Sequence, residues 1–322
     1  MRHKVLIVGL GSIGMLYDLE DSDQAHVLSH ARAFSQHDNF VLVAGVDPDP
    51  IACKKFSAKY SAWSGHDLSE ALSISCPDVV VLASPTDTHA KSLRRIFAHT
   101  KPKLVLCEKP ISYSLEEAQF MVSACRDANC LFFVNYLRRV EPGVLEIKRR
   151  LVSGEIQAPA KGVVWYTKGL IHNGSHFVNL LEFWLGAIKE AVLVDAVRIS
   201  NNLDLQANIR VTFKHGEALF VAVPDHYFTH HEIHLVCPNG CLRYENGGAK
   251  ISWQPVDANT VGSQYTMLTE AAEVIPAEAK RLQAVVTHEL SKALSGFPTS
   301  LCTGEEALAT LVALANVRDS SI

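Results

Sequence analysis

A lysine, a histidine and an asparagine in this chain have settings that proton handling would use. Lys109 stands in Glu108-Lys109-Pro110, directly after the apolar run 104–107. Such a run reads as a strand buried in a parallel sheet, and doubly wound sheets hold their ligands at the carboxyl ends of such strands. A lysine there could polarise a substrate oxygen or pass a proton. A surface lysine in a loop satisfies the same pattern. His176 and Asn179 lie three apart in 170–186, LIHNGSHFVNLLEFWLG, a helix apolar nearly all round that follows Asn173-Gly174-Ser175, read as turn and N-cap. A polar pair at the start of a buried helix needs partners. If the partner is a substrate hydroxyl, His176 is a general base; if it is backbone, His176 is a core histidine. His226, His230, His231 and His234 crowd residues 225–234. Neighbours on a strand point to opposite faces, so they lack a ligand spacing and no metal is expected.

These groups need a ligand to act on, and the start of the chain suggests one. Residues 4–14, KVLIVGLGSIG, join an unbroken β-favouring run to Gly9, Gly11 and Gly14 in the order G-x-G-x-x-G. Gly9 suits the tight turn, Gly11 a close backbone approach to a pyrophosphate, and Gly14 close packing of helix on strand. The phosphates are expected on the amides and positive end of a helix beginning near Ser12. A second strand, 40–46, ends in Asp47, which can accept from both ribose hydroxyls of NAD and would repel the 2′-phosphate of NADP. Asp47-Pro48 also reads as a turn former. The glycine-to-acid separation exceeds the usual ~20 residues, and the acidic patch 18–23 marks an insertion near the cofactor mouth. An oxidised nicotinamide beside Lys109, together with partial burial, would lower the lysine's pKa.

The elements that position these residues follow in order. Helices are expected at 50–60 and 68–72 and strands at 78–83, 104–107 and 131–134, the last closing the series. The helix around His89, Leu93, Ile96 and Phe97 takes Thr86 or Asp87 as N-cap, and the next takes a Ser114/Glu117 capping box. This alternation predicts an α/β fold with a Rossmann doubly wound parallel sheet over residues 1–137. Residues 138–322 read as an α+β substrate and oligomerisation domain with a large open antiparallel sheet. Its helix begins at Pro142, its strands fall near 163–168, 191–199, 207–213, 218–223, 231–236, 241–244 and 250–253, and helices span 277–294 and 303–317. The last has a Thr303/Glu306 box and a stripe of Leu308, Leu311, Val312 and Ala315, and could pack back on the first domain.

Composition narrows the setting. The 322 residues suit two domains, and a net charge of −4 gives no support to nucleic acid or an anionic membrane as partner. The N-terminal apolar run is read as a strand rather than a signal peptide, and no stretch nears the ~20 apolar residues of a membrane span. Eight scattered cysteines read as reduced thiols of a cytoplasmic protein.

Taken in order, GLGSIG at 9–14, Asp47, ASPTDTHA at 83–90, EKP at 108–110, RRVEPG at 138–143, SGEI at 153–156, GSHFVNLLEFWLG and CTGEEALATL make the chain resemble the glucose-fructose oxidoreductase, inositol dehydrogenase and MocA family. The resemblance implies a tightly bound nicotinamide cofactor and oxidation or reduction at a sugar or cyclitol carbon; with Asp47 selecting NAD over NADP, the expected reaction is at a hydroxyl-bearing carbon of a sugar, nucleotide sugar or cyclitol. It implies that Lys109 and His176 flank that carbon. Cofactor contacts are then expected from Gly9, Gly11, Ser12, Ile13, Gly14, Asp47, Ser84, Pro85, Thr86, His89, Glu108 and Lys109. Tyr136, Arg139, Trp165, Lys168 and His176 are the candidate substrate contacts. Many members have aspartates four residues before and three after the histidine, where this chain has His172 and Asn179. Asn179 can orient His176 but cannot carry charge, and His172 becomes the candidate relay. A lyase, epimerase or glycosidase variant and a non-catalytic NAD-sensing scaffold are the alternatives. A homo-oligomer is expected from the open sheet.

Overall fold

The computed structural model describes residues 2–21, 23, 25–198, 204–224, 226–260, 262, 264–278 and 280–319. Ile199, Asp225 and Ala279, which fall in an expected strand, the histidine segment and an expected helix, lie outside the described residues. The chain forms two compact units, Met1–Val140 with Lys280–Leu308, and Glu141–Ala279 with Ala309–Ile322.

In the first unit, β1 (His3–Val8), β2 (Phe40–Val46), β3 (Trp63–Gly65), β4 (Val79–Leu82), β5 (Leu104–Cys107) and β6 (Leu131–Val134) are parallel, in the spatial order β6-β5-β4-β1-β2-β3. Strand order reverses between β1 and β4, the topological switch point of a doubly wound sheet. Val5, Leu6 and Ile7 of β1 and all four residues of β4 have no exposed surface. Both strands are central and covered on two faces, which is why their sequences run apolar without alternation. Helices α1 (His30–Ser35), α2 (Pro50–Tyr60), α3 (Leu68–Ser75), α4 (His89–His99) and α5 (Leu115–Asp127) connect them. Asp49 caps α2 and Asp67 caps α3 through the backbone N–H groups of Ile51 and Ser69.

Several local expectations are corrected. Neither Thr86 nor Asp87 caps α4: residues Thr86–Thr88 form a 3₁₀ turn, and Thr88 takes the cap position without a side-chain cap bond. The Ser114/Glu117 box is half formed, because Ser114 accepts from Glu117 N while the Glu117 carboxylate takes the Ser112 hydroxyl instead. Strand β6 is not the edge.

In the second unit, α6 (Pro142–Ser153) precedes β7 (Ala160–Tyr166), then α7 (Ser175–Leu185) and β8 (Ile188–Arg198), β9 (Leu205–Phe213), β10 (Gly216–Ala222), β11 (Glu232–Cys237), β12 (Gly240–Glu245), β13 (Lys250–Pro255) and β14 (Glu273–Ile275). They make one sheet ordered β14-β13-β12-β11-β7-β10-β9-β8. It is mainly antiparallel, with a parallel β7/β10 pair, and the short β14 was not apparent in the sequence. One face is packed: Val164, Tyr166, Ile233, Leu235 and Tyr244 are buried, and the rings of Phe177 and Trp184 from α7 meet Tyr244 edge-on. The opposite face carries Trp165, Val192, Leu219, Val236 and Val274, all exposed.

The chain then supplies α8 (Leu282–Leu294), β15 (Cys302–Thr303) and α9 (Gly304–Asp319). Strand β15 pairs antiparallel with β6 and covers that edge of the Rossmann sheet. Helix α8 starts five residues later than its apolar pattern suggested. The Thr303/Glu306 capping box forms in both directions, at 3.2 and 2.9 Å. In α9 Leu311 and Ala315 of the expected stripe are buried, Leu308 is half-buried and Val312 is exposed, while Ala307, Thr310 and Leu314 complete the buried side. Among the described residues no helix is long and apolar enough to cross a membrane.

Candidate functional site

The glycine motif opens a cavity of about 690 Å³ at the switch point, lined by residues that end β1, β2 and β4, among them Gly9, Gly11, Asp47, Ser84 and Pro85. Gly9 has φ +98°, and a Cβ there would lie 2.5 Å from Ala83 C and Ser84 N. A Cβ on Gly14 would sit 2.0 Å from Gly9 O. Gly11 differs: its backbone is extended, and a Cβ would meet nothing within 4 Å. Gly9 and Gly14 therefore build the turn, and Gly11 keeps a backbone surface bare toward open space. A bare, cavity-lining backbone of this kind fits the pyrophosphate of a dinucleotide.

The helix expected near Ser12 is only the five-residue π-helical turn Ser12–Leu16, with Leu16 N and Tyr17 N bonding five residues back. The inserted segment cuts it short, so the dipole of a long helix is not available and the local amides must serve.

Asp47 is fixed by two backbone donors. Leu10 N bonds Oδ2 at 2.7 Å, tying the acid to the glycine turn, and Asp49 N bonds Oδ1 at 2.8 Å. The bond to Asp49 N is that of a turn former, and Asp47 also lines the cavity with a second acceptor site left on each carboxylate oxygen. His66, Lys91 and Arg95 line the same cavity. The sequence reading missed them because Lys91 and Arg95 are exposed cations on α4 and His66 stands in a loop, and neither setting carries a local signal.

Other expected cofactor residues take supporting places. Ser12, Ile13, Gly14, Thr86, His89, Glu108 and Lys109 are not among the residues lining this cavity. His89 is 1% exposed; its Nε2 bonds Ser84 O at 2.9 Å, and Nδ1 faces Cys107 Sγ and Ile111 O, each at 3.2 Å. Burial lowers its pKa. A neutral ring that donates from Nε2 fastens the Ser84 loop.

Glu108, at the end of β5, accepts from Asn135 Nδ2 at 2.7 Å and pairs with His30 Nε2 at 2.8 Å. Burial pushes its pKa up, but the His30 and Asn135 bonds and the Lys109 charge outweigh that, and the net shift is downward. A lowered carboxylate contributes stability that is present above the unfolded value of 4.5 and lost as pH falls through the folded one. The Lys109–Pro110 bond is cis.

Among the substrate candidates of this unit, Tyr136 is only 4% exposed. Arg139 is corrected outright: it is 2% exposed and holds Glu306 through both terminal nitrogens, at 2.6 and 3.0 Å. The same Glu306 closes the α9 capping box. This is a structural pair.

In the second unit, a second π-helical turn, Leu170–Gly174, leads into α7. Asp204, 8% exposed, receives Ile171 N at 2.9 Å, His172 N at 2.7 Å and Leu205 N at 2.9 Å. Burial raises its pKa against the pull of these bonds. Gly169 has φ +84°, and a Cβ there would lie 2.2 Å from Asp204 Oδ2, so the carboxylate requires a glycine beside it. Ser175 is not the N-cap; its hydroxyl donates back to Ile171 O.

His176 is half-buried in the first turn of α7 and His172 is exposed. Asn179, fully buried, donates from Nδ2 to Thr310 Oγ1 at 2.9 Å, and that hydroxyl donates to Glu182 at 3.0 Å. Its amide thus ties α7 to α9. His231 approaches this turn, with Nε2 3.0 Å from Thr167 Oγ1. His230 instead lies near Trp165, the two rings tilted by 54° with centroids 6.3 Å apart. Trp165 lies on the sheet face opposite α7, since its neighbours Val164 and Tyr166 fill the packed face. That removes it from the His176 side. Lys168 is exposed, with φ +64°.

Comparison with known proteins agrees with this geometry. Residues 3–136 match the family model for the GFO/IDH/MocA oxidoreductase family, NAD-binding Rossmann fold. The chain is 27% identical over 180 residues to a 4-carboxy-2-hydroxymuconate-6-semialdehyde dehydrogenase of Sphingobium, covering 50% of this chain and 56% of that one. It is 29% identical over 127 residues to an inositol 2-dehydrogenase of Rhizobium meliloti, covering 39% and 38%. The chain thus spans about half or less of the curated relatives it matches. The fold is shared with the WlbA dehydrogenase of Bordetella pertussis, solved with NADH and UDP-GlcNAcA, at a TM-score of 0.76 and 18% identity over 99% of this chain and 95% of that one. The switch-point cavity, the glycine turn and the strand-ending Asp47 all fall within residues 3–136, the stretch that matches the GFO/IDH/MocA oxidoreductase family of NAD-binding Rossmann folds.

Proposed function

We propose that the protein is an NAD-dependent oxidoreductase that moves a hydride to or from a hydroxyl-bearing carbon of a sugar, nucleotide sugar or cyclitol. The observation that carries this is Asp47, held by Leu10 N on the wall of the cavity that Gly9 and Gly11 open. Gly9 and Gly11 would receive the pyrophosphate, Asp47 the adenosine ribose, and Lys91 and Arg95 would add attraction for the anionic cofactor. NAD, when bound, supplies or accepts the hydride. Lys109 polarises the substrate oxygen, and His176 takes or returns the hydroxyl proton. Lys168 remains as a cation for a substrate carboxylate or phosphate, and Tyr136 can offer little more than an edge. The exposed apolar row Val192, Leu219, Trp165 and Val274 supports a homo-oligomer formed on the open sheet face. The scattered cysteines, all but Cys76 buried, support the cytoplasm as its compartment.

The test is a titration of NAD and NADP by intrinsic fluorescence, followed by a screen of sugars, nucleotide sugars and inositols for reduced-cofactor absorbance. Asp47→Ala should weaken NAD about tenfold, the ~1.4 kcal/mol of a lost charge-assisted bond, and NADP less. Equal losses would reject the assignment. Lys109→Ala should abolish turnover on the substrate found; NAD binding with no turnover across the whole panel would favour the sensing scaffold.

A further inference from the structure

Two buried groups stand behind the wall of the cavity: Cys107, the last residue of β5, and His89, the first of α4. Cys107 has no exposed surface and His89 has 1%. Burial holds the imidazole's pKa down and the thiol's up, so both are neutral near pH 7. A neutral imidazole carries one N–H and one bare nitrogen. Two backbone carbonyls compete for that proton: Ser84 O lies 2.9 Å from Nε2, and Ile111 O lies 3.2 Å from Nδ1. The third neighbour is Cys107 Sγ, 3.2 Å from Nδ1. A thiol can donate where a carbonyl cannot. Its other acceptor within reach is Glu108 O at 3.3 Å, a weaker base than an imidazole nitrogen. With the S–H directed at Nδ1, the ring proton stays on Nε2, where the shorter of the two carbonyl contacts receives it.

Ser84 O acts as a lever on the cavity. It shares a rigid peptide plane with Pro85 N, and Ser84 and Pro85 both line the cavity. The rest of the turn is closed on itself. Thr88 N and Thr88 Oγ1 both donate to Pro85 O, at 2.9 and 2.7 Å, so Ser84 Oγ is the donor in its 2.7 Å bond with Thr88 Oγ1. On the other side Ser84 N stands against Gly9, 2.5 Å from where a Cβ would lie. The His89 bond ties this turn, through Cys107, to β5.

We propose that Cys107 is a positioning residue for the dinucleotide: its thiol donates to His89 Nδ1, fixes the Nε2–H tautomer, and so holds the Ser84–Pro85 wall of the cavity in its binding shape. The inference rests on the reading of this cavity as the NAD site. Without the thiol, the ring proton moves to Nδ1 and serves Ile111 O. Nε2 then presents a lone pair to Ser84 O, and that carbonyl must turn away, taking Pro85 with it.

The experiment reads the ring directly. In the full chain labelled with ¹⁵N-histidine, long-range proton–nitrogen spectra near neutral pH report which nitrogen of His89 is bare, and His89→Gln identifies its signals. The parent should show a bare Nδ1. Cys107→Ala should move the proton to Nδ1 and weaken NAD about fivefold, the scale of one lost hydrogen bond. Cys107→Ser, which keeps a donor, should retain both the tautomer and the affinity of the parent. A bare Nε2 in the parent overturns the proposal, and so does a Cys107→Ala chain that keeps its proton on Nε2 or binds NAD as the parent does. If Cys107→Ala does not fold, Cys107→Val takes its place with the same expected outcomes. The parent's NAD titration keeps the two readings apart. No binding rejects the cavity as the NAD site and this role with it; binding with an unmoved tautomer rejects this role alone.

Discussion

Two π-helical turns, Ser12–Leu16 and Leu170–Gly174, stand beside the two groups of residues assigned to chemistry, and they are held in different ways. The first is made by backbone alone. Gly9 and Gly14 let two chain segments approach within distances no side chain permits, and Gly11 leaves open space where a Cβ would stand. The second depends on a distant carboxylate, Asp204, which receives the amides of Ile171 and His172 from over thirty residues away. Irregular helical turns recur at functional sites because they re-aim side chains. Here one turn follows the cavity-lining Gly9 and Gly11, and the other leads into α7, whose first turn carries His176.

This contrast predicts a graded set of effects. Gly9→Ala should be the most damaging, costing about 3 kcal/mol or more, because its φ and its contacts with Ala83 and Ser84 both exclude a Cβ. The measure is a urea midpoint together with NAD titration; a stable, NAD-binding variant would show that the turn does not need its glycine.

Asp204→Asn should cost about 2 kcal/mol, since an amide nitrogen would replace one acceptor of the backbone N–H groups. NAD affinity should match that of the parent, and a loss of NAD binding without a loss of stability would break the distinction between the two turns. The smallest structural effect is expected at Gly11→Ala. Stability should stay within about 0.5 kcal/mol, because the Cβ enters open space, while NAD should bind roughly tenfold more weakly. Unchanged affinity would remove Gly11 from the phosphate site.

The same contrast explains what could be read ahead of the structure. The central strands β1 and β4, the glycine spacing, Asp47 and the Thr303/Glu306 box each carry their cause within a few residues, and each is found in place. Corrections fall where a partner is remote. Arg139 looks like a substrate cation until Glu306 arrives from 167 residues further on. Asn179 suggests an orienting group for His176 by spacing, and nothing local announces that its Nδ2 also ties α7 to Thr310. Trp165 suits a sugar face by type, but the pleat of β7 turns it to the other side of the sheet. Asp204 gave no signal, since an isolated acid outside any motif has no periodicity to mark it.

The sequence by itself determined the parallel sheet, the dinucleotide turn and the acid that ends β2, because local sterics and hydrophobic period act over short stretches of chain. Tertiary structure alone decided which polar groups are already engaged: Arg139 by Glu306, Asn179 by Thr310, the 170–174 turn by Asp204, and Glu108 by His30. Hydrogen bonding of buried groups depends on which distant atoms packing brings within 3 Å, and no spacing along the chain encodes that distance.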